Sequence, residues 1–175
     1  MSGATTYYTT MPSPVGELTL TSDGSALTAV YFEAPKYGPA STDGWIRDDA
    51  VLADARRQLD EYFRGERTTF DVALAPSGTD FQCSVWRALT EIPYAATTSY
   101  GRIASSIGKP AASRAVGAAN GRNPISIIVP CHRVIGSGGD LTGYGGGLDR
   151  KRWLLDHEAV VISRRRAAAA GTNRA

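Results

Sequence analysis

The run from Pro130 to Arg133, which reads Pro-Cys-His-Arg, puts a thiol beside an imidazole and a guanidinium. A thiolate is a strong nucleophile, and nearby cationic groups favour its formation. The preceding segment Ile125–Val129 alternates apolar residues, which predicts a short buried β-strand that ends at Pro130. The pattern therefore predicts a nucleophilic Cys131 presented on a rigid strand end. A buried structural cysteine is the alternative that this segment alone leaves open.

The only other cysteine is Cys83, and the only histidines are His132 and His157. Two cysteines in a chain of this size are typical of a reducing compartment, where thiols stay free. No pair of these residues has the close spacing of a zinc site. We therefore expect a cytoplasmic protein with no metal and no cofactor.

The 175 residues can form one large domain or two small domains. A hydrophobic content of 42% and a charged content of 21% fit a globular protein rather than a disordered one. No apolar run is long enough to cross a bilayer, and the N-terminus lacks a basic segment that leads into an apolar one. We therefore expect neither a membrane anchor nor a secretory signal. The net charge of +2 says little about partners, because the placement of arginines matters more than their sum.

The elements that would position Cys131 predict an α+β protein. A small N-terminal α/β domain, a hairpin-containing sheet plus a helix, is expected at residues 1–76, and a C-terminal domain at residues 77–160. The turn formers Pro76-Ser77-Gly78 mark the boundary, and Asp23-Gly24 is a favoured dipeptide for a tight hairpin turn. In the first domain, the predicted elements are strands at 17–20 and 26–32, a helix at 47–64 and a further strand at 68–74.

The C-terminal domain is predicted to be mainly helical. Thr79 or Asp80 can cap its first helix, and Pro93 ends it. Gly108-Lys109-Pro110 joins two short helices in the layout of a helix-turn-helix. The arginines and the alanine run of residues 161–175 predict a disordered basic tail. In order, the predicted elements are helices at 79–92, 99–107 and 111–122, the active-site strand at 125–129, a loop with seven glycines at 136–147 and a helix at 149–159.

The second helix of the pair is nearly bare, because most of its positions are alanine or glycine. An ordinary helix is about 10 to 12 Å across with its side chains, whereas the minor groove of DNA is about 6 Å wide. A helix this thin can press against a widened minor groove, and Arg114 can project into a gap left by a displaced base. Close packing between two helices also favours small residues, and this segment alone leaves both interpretations open.

Taken together, these segments closely resemble the O6-alkylguanine-DNA alkyltransferases. The resemblance is dense over residues 79–158, in the same order and spacing, and looser over the N-terminal part. It implies repair of DNA by direct damage reversal: a methyl or other alkyl group moves irreversibly from O6 of guanine, and from O4 of thymine, to Cys131. The motifs that carry the resemblance are Tyr100, Ala-Ala-Ser-Arg-Ala-Val-Gly at 111–117, Asn123-Pro124, Pro-Cys-His-Arg-Val at 130–134 and Gly-Tyr-Gly-Gly-Gly at 143–147.

The resemblance also implies a role for each matching residue. Cys131 is the alkyl acceptor, His132 takes its proton through a bound water, and Glu158 orients that histidine. Tyr100 crowds the target phosphate and protonates the guanine ring as it leaves, and Arg114 fills the vacated stack. The implied DNA-binding residues are Tyr100, Ala112, Ser113, Arg114, Ala115 and Gly117, and the implied substrate-pocket residues are Asn123, Val134, Tyr144, Gly145 and Gly146.

The implied partner is double-stranded DNA that bears O6-alkylguanine and is bound through its minor groove. A base inside the duplex is out of reach, so it must first flip into a pocket. We expect a monomer, with cooperative binding along DNA left open. The product would be a thioether, which water does not hydrolyse at useful rates, so each molecule would react once.

Two independent arguments support the implied chemistry. Neighbouring residues on an extended chain point to opposite sides, so His132 is poorly placed to touch the Cys131 sulfur, and a relay through water removes that difficulty. Displacement at a saturated carbon needs a strong nucleophile, which a thiolate is, and a leaving group made neutral by protonation.

The sequence departs from the family pattern at two positions. Some members have serine in place of Gly145, although the implied contact uses the backbone N–H, which glycine also provides. Asn120 stands where some members have an apolar pocket residue, which leaves the tolerance for bulky alkyl groups open. The zinc ligands that some members carry in the N-terminal part have no counterpart here.

Three rival functions fit parts of the pattern. A lesion binder similar to the alkyltransferase-like proteins would lack the acceptor cysteine, which is present here. A thiol hydrolase using Cys131 and His132 would need an oxyanion hole, for which the sequence offers no candidate. A helix-turn-helix regulator would need side chains that read bases, and its second helix has almost none.

Overall fold

In the computed structural model, which describes residues 4–172, the N-terminal part forms a four-stranded sheet. Neighbouring strands are antiparallel, except that β4 runs parallel to β1. The Asp23 carboxylate accepts hydrogen bonds from the backbone N–H groups of Ser25 and Ala26, which closes the predicted hairpin. The strands are β1 (Tyr7–Met11), β2 (Leu18–Ser22), β3 (Leu27–Phe32) and β4 (Ile46–Arg47), in the spatial order β3-β2-β1-β4.

The helix of this part, α1 (Ala53–Phe63), joins the core of the sheet through Ala55, Leu59 and Tyr62. It begins later than the predicted 47–64, because residues 46–47 pair with β1 instead. The strand predicted at 68–74 is wrong. Only its last residue makes a bridge, to Leu27 of β3, so the segment lies as irregular chain against the edge of the sheet.

The C-terminal part is mainly helical, as predicted. The Thr79 side chain accepts a hydrogen bond from the Gln82 N–H while the Gln82 side chain accepts one from the Thr79 N–H, so Thr79 is the N-cap of α2. The helix-turn-helix consists of α3 (Tyr100–Ser106) and α4 (Ser113–Gly121), within one or two residues of the predicted bounds. The elements are α2 (Asp80–Thr90), β5 (Thr98–Ser99), α3 (Tyr100–Ser106), α4 (Ser113–Gly121), a 3-10 turn (Cys131–Arg133), β6 (Val134–Ile135) and α5 (Leu148–Thr172).

The predicted active-site strand at 125–129 is wrong. Ile127 has a φ of 73°, in the left-handed region, so the chain folds back on itself there. Only the first residue of the segment makes a bridge, to Val30 of β3, and its other backbone hydrogen bonds are local, such as the one from the Val129 N–H to the Ile125 carbonyl at 3.0 Å. The apolar residues are buried as expected. The apolar pattern therefore predicted the burial of this segment correctly but not its backbone conformation. Cys131 therefore begins a 3-10 turn that leads into the two-residue strand β6.

The predicted disordered tail at 161–175 is also wrong over its described residues. The chain continues as α5 through Thr172, and residues 173–175 lie outside the described part. Val161 is buried, and the Arg165 guanidinium donates to the Gly65 carbonyl at 3.1 Å. These contacts hold the middle of α5 against the end of α1.

The buried hydrophobic residues of both parts form one continuous cluster. The division into domains at residues 1–76 and 77–160 therefore stays a prediction. Between residues 4 and 172, every helix is too short or too polar to cross a membrane.

Candidate active site and DNA-facing helix

Cys131 lies at the start of the 3-10 turn and is almost fully buried. Burial raises the pKa of its thiol, because a thiolate there loses its solvation by water. The Asn123 side chain, the Lys151 charge and the Tyr144 hydroxyl act in the opposite direction, but burial prevails. The sequence-based expectation of a readily ionised thiol is therefore wrong for the free protein, and a base must remove its proton.

The cation that favours the thiolate is Lys151 of α5, rather than the neighbouring Arg133. Lys151 is fully buried, and its ammonium donates to the carbonyls of Val134 at 2.6 Å and Thr142 at 2.9 Å. Within residues 4–172 it forms no salt bridge with a carboxylate, so its charge remains available to a nearby anion. Burial lowers the pKa of Lys151, and a negative charge on Cys131 raises it.

The Glu158 carboxylate, also fully buried, joins the two side chains that follow Cys131. Its Oε1 lies 2.8 Å from His132 Nε2, and Arg133 donates to both carboxylate oxygens at 2.9 Å. Burial opposes the negative charge, but His132 and Arg133 outweigh it and lower the pKa of Glu158 to about 2. An ionised carboxylate has no hydrogen to donate, so His132 Nε2 carries the proton of this hydrogen bond.

The second ring nitrogen of His132, Nδ1, is buried and has no hydrogen-bond partner among the described residues. Because Nε2 carries the proton, Nδ1 has a free lone pair. Burial lowers the pKa of His132, so the ring is neutral near pH 7 and can accept a proton. Glu158 would then balance the new charge. No hydrogen bond joins this ring to the Cys131 sulfur within residues 4–172, which fits proton transfer through a bridging water.

Two further groups hold the Glu158 carboxylate. The Tyr62 hydroxyl of α1 donates to Oε1 at 2.8 Å, and the Ala95 backbone N–H donates to Oε2 at 3.1 Å. Ala95 has a φ of 61°, an unusual conformation for alanine that places its N–H here. Glu158 therefore receives hydrogen bonds from four residues, which belong to three segments that are far apart in the sequence.

Asn123 and Tyr144, two of the predicted pocket residues, lie around the thiol. The Asn123 amide donates to the Val129 carbonyl at 2.8 Å, and its oxygen accepts from the Ile125 N–H at 3.0 Å. It thereby fixes the turn before Cys131 just after α4 ends. The Tyr144 hydroxyl is buried and favours the thiolate, although it has no hydrogen-bond partner of good geometry in the described chain.

The glycine loop closes over this region. A Cβ on Gly146 would lie 2.6 Å from the Phe32 ring, and a Cβ on Gly145 would lie 3.1 Å from the Gly121 carbonyl. The close approach therefore requires glycine at 146 and leaves little room at 145. A cavity of about 30 Å³ borders both glycines and Asn123. That is space for one or two water molecules and not for a purine. Val134, the remaining predicted pocket residue, is fully buried beneath the loop.

Tyr100 begins α3 and lies outside the cysteine cluster. Its hydroxyl donates to the Thr142 carbonyl at 3.3 Å and accepts a hydrogen bond from the Thr142 hydroxyl at 3.2 Å. Its ring faces Gly117 of α4, where an added Cβ would lie 3.7 Å away. Tyr100 therefore connects the helix-turn-helix to the glycine loop.

The exposed face of α4 carries the predicted DNA-binding residues. Arg114 and Ala115 are exposed, whereas Ala112, Ser113 and Gly117 are partly buried. The opposite face packs inward, where the Trp86 indole N–H donates to the Ala119 carbonyl at 2.8 Å. Packing and exposure thus divide the helix. Close packing accounts for the small residues of the buried face, and the minor-groove interpretation of the exposed face stays a prediction.

Lys151 and Tyr62 were missed by sequence reasoning, although α5 carries a signal. Its buried residues Lys151, Leu154, Glu158 and Val161 recur at helical spacing, so two charged residues lie on its apolar stripe. A buried charge needs a partner or a function. Tyr62 gives no comparable signal, because its partner lies 96 residues away.

Two family profiles match the chain. The profile described as "6-O-methylguanine DNA methyltransferase, ribonuclease-like domain" matches residues 6–76. The profile described as "6-O-methylguanine DNA methyltransferase, DNA binding domain" matches residues 80–160. Together they span the sheet, the helix-turn-helix, the cysteine turn and Glu158.

Relatives named methylated-DNA–protein-cysteine methyltransferase are similar over most of the chain. One from Methanosarcina acetivorans is 54% identical over 152 residues, which are 87% of this chain and 97% of the relative. One from Mycobacterium tuberculosis is 56% identical over 152 residues, 87% of this chain and 92% of the relative. The crystal structure of Mycobacterium tuberculosis OGT in complex with DNA has a TM-score of 0.83 and 54% identity, and covers 89% of this chain and 94% of its own.

Proposed function

Since the chain belongs to the family of methylated-DNA–protein-cysteine methyltransferases, we propose that it moves an alkyl group from O6 of guanine in DNA to its own Cys131. Repair of DNA by transfer of an alkyl group to a protein cysteine is the activity of this family, and the chain is an enzyme of that kind. One observation carries the choice of residue. Cys131 is a buried thiol that is followed directly by a histidine whose Nε2 is hydrogen-bonded to a buried carboxylate and whose Nδ1 has an unused lone pair.

In the proposed reaction, the thiol proton passes through a water to Nδ1 of His132, and Glu158 balances the resulting charge. Lys151 stabilises the thiolate while it forms. The sulfur then attacks the alkyl carbon and the bond from that carbon to O6 breaks. Tyr100 supplies a proton to the guanine ring, so that the leaving group departs neutral. Because the product is a thioether, the enzyme is consumed.

Binding of DNA belongs to the family activity, and we propose that α4 enters the minor groove. The exposed Arg114 and Ala115 support this orientation, because a nearly bare helix face suits a narrow groove. Arg114 would then occupy the gap left by the flipped nucleotide.

We further propose that the protein acts as a monomer in the cytoplasm. Both cysteines are free, and they lie in different settings, Cys131 buried and Cys83 partly exposed. A reducing compartment keeps such thiols available for reaction.

The test is intact mass after incubation with duplex DNA that contains O6-methylguanine, followed by peptide mapping. We expect one added methyl group, carried by the peptide that contains Cys131. The Cys131→Ser variant should gain none and still bind DNA, since a hydroxyl is far less ionised near neutral pH. The Cys83→Ser variant should react normally. Methylation of Cys83 in the unaltered protein would contradict the assignment.

A further inference from the structure

Tyr62 brings the N-terminal part of the chain into the candidate active site. Its side chain is fully buried in α1, and its hydroxyl donates to Oε1 of Glu158 at 2.8 Å. The same oxygen lies 2.8 Å from His132 Nε2 and accepts from Arg133 at 2.9 Å. Three donors thus share one carboxylate oxygen, and one of them is the histidine that we assign as the base.

The packing of the Tyr62 ring does not explain why this residue carries a hydroxyl group. The Tyr62 ring contacts the rings of Phe63, Phe70, Tyr94 and His157, and a phenylalanine would make the same contacts. The oxygen adds only the hydrogen bond to Glu158. Burial raises the pKa of Tyr62 well above its usual value, so the group remains a donor across the working pH range.

The position of the hydroxyl is held from the backbone side as well. His157 of α5 lies one residue before Glu158, and its Nε2 is 2.8 Å from the Tyr62 carbonyl. The Trp153 ring stacks on His157 at a centroid distance of 4.9 Å. His157 therefore contacts the backbone of Tyr62, and the adjacent Glu158 contacts its hydroxyl. Together these contacts fix the position of α5 along α1.

We propose that Tyr62 is a positioning residue of the alkyl transfer, which acts through Glu158 to orient His132 and to limit its basicity. The proposal rests on the proposed function, because it assumes that His132 removes the thiol proton. It gives the N-terminal part of the chain a role in the reaction itself.

The direction of the effect follows from competition for Oε1. A hydroxyl that donates to this oxygen takes up part of its negative charge, which leaves less to stabilise a protonated His132. Without the hydroxyl, Glu158 attracts the imidazolium more strongly, and the pKa of His132 rises. A histidine that is already protonated cannot accept the thiol proton. The other titratable or charged groups that face this pair are Cys131, Arg133, Lys151, Tyr94 and Tyr144.

The experiment compares Tyr62→Phe with Tyr94→Phe, a matched control. The Tyr94 ring also contacts Tyr62 and Arg133, but its hydroxyl has no hydrogen-bond partner among residues 4–172. Transfer rates are measured with saturating O6-methylguanine duplex between about pH 5.5 and pH 8. For Tyr62→Phe we expect the ratio of the acidic rate to the alkaline rate to fall about threefold or more, and for Tyr94→Phe we expect no change.

A second measurement does not depend on transfer. The chain has two histidines, so ¹⁵N spectra of labelled imidazoles report on His132 and His157 alone. In the unaltered protein we expect His132 as the Nε2–H tautomer, with a magnetisation transfer from that proton to the Tyr62 hydroxyl proton. In Tyr62→Phe, His132 should titrate at higher pH than in the unaltered protein.

The outcomes separate the two proposals. Equal loss of rate at every pH, with an unchanged His132 titration, would reduce Tyr62 to a packing residue and overturn the inference. Failure to detect the contact between the two protons in the unaltered protein would also overturn it, even if Tyr62→Phe did not fold. If the unaltered protein gains no methyl group, the proposed function fails, whatever the histidine spectra show.

Discussion

Cys131 meets two opposing requirements, since it must be shielded from water and must still lose a proton. Burial raises the pKa of its thiol, and the only nearby cation that favours the thiolate among the described residues is Lys151. A thioether-forming displacement needs the thiolate for one event only. A thiol that stays protonated until the histidine, the water and the lysine act together is protected from oxidation in the meantime.

This balance leads to a prediction for Lys151→Met, which keeps most of the length of the side chain and removes its charge. We expect the saturated transfer rate near pH 7 to fall about tenfold or more, one factor of ten being about 1.4 kcal/mol. Because the charge lowers the pKa of Cys131, its loss should move the rate profile to higher pH, so part of the rate returns near pH 9. A stopped assay over this pH range is the measurement. A uniform loss at every pH would indicate that Lys151 only holds the carbonyls of Val134 and Thr142.

At the scale of elements, α4 divides its residues between the core and solvent. Val116, Ala119 and Asn120 are buried, whereas Arg114 projects from the exposed face. Extrusion of a nucleotide costs a few kcal/mol of stacking and pairing, and a side chain that fills the gap offsets part of this cost. Arg114 is the long side chain in the exposed first turn of this helix.

We therefore expect Arg114→Ala to lower the saturated transfer rate on duplex DNA by about tenfold or more. Reaction with a free alkylated guanine, which needs no flipping, should be nearly unchanged. Arg102→Ala, which removes an exposed arginine from α3, is the charge-matched control and should weaken affinity alone. Single-turnover kinetics at saturating DNA separate rate from affinity. An equal loss on duplex and free base would mean that Arg114 supports the fold of the active site instead.

The contact between the end of α1 and the middle of α5 gives a prediction about stability. Gly65 has a φ of 75°, and a Cβ there would lie 2.9 Å from a methyl group of Val161. Gly65→Ala should thus lower the free energy of unfolding by about 1 to 3 kcal/mol, through backbone strain and a forced shift of α5. Urea denaturation is the measurement. Gly171→Ala, at a helical position with open space around it, should cause no loss, and equal effects at both sites would contradict the argument.

Local signals predicted the elements whose causes are local. The Asp23-Gly24 turn, the Thr79 cap and the break at Gly108-Lys109-Pro110 each depend on residues within one turn of chain, and the hairpin, α2 and the helix-turn-helix lie where these signals placed them. The strand at 125–129 failed for a different reason. The apolar residues are buried there by a compact turn that the Asn123 side chain holds. This turn requires Ile127 to adopt a left-handed conformation, which no sequence pattern predicts.

At the scale of the whole molecule, one buried carboxylate is hydrogen-bonded to residues from both parts of the chain. Glu158 belongs to α5, yet it receives hydrogen bonds from Tyr62 in the N-terminal part, from Ala95 after α2, and from the side chains that follow Cys131. The resemblance implied the histidine partner of this residue. The remaining partners come together only when both parts of the chain share one core, so no segment read alone could reveal them.

The same organisation predicts how stability depends on pH. Glu158 has a pKa of about 2, below its ordinary value of 4.5, so the stability it contributes is complete above pH 4.5 and is lost as the pH falls towards 2. The pKa of buried His132 is also lowered, from 6.5, so it adds a loss of stability that begins as the pH falls below 6.5. For Glu158, the contribution is on the order of 3 kcal/mol.

The measurement is urea denaturation of the unaltered protein and of Glu158→Gln between about pH 7 and pH 3. At pH 7 we expect the variant to be strongly destabilised, because Arg133 stays buried without its counter-charge. The difference between the two proteins should shrink as the pH falls below about 4.5, since protonation removes the same charge that the substitution removes. Glu17→Gln, at an exposed carboxylate, should follow the unaltered protein throughout. A difference that stays constant from pH 7 to pH 3 would mean that Glu158 stabilises the core by its shape and not by its charge.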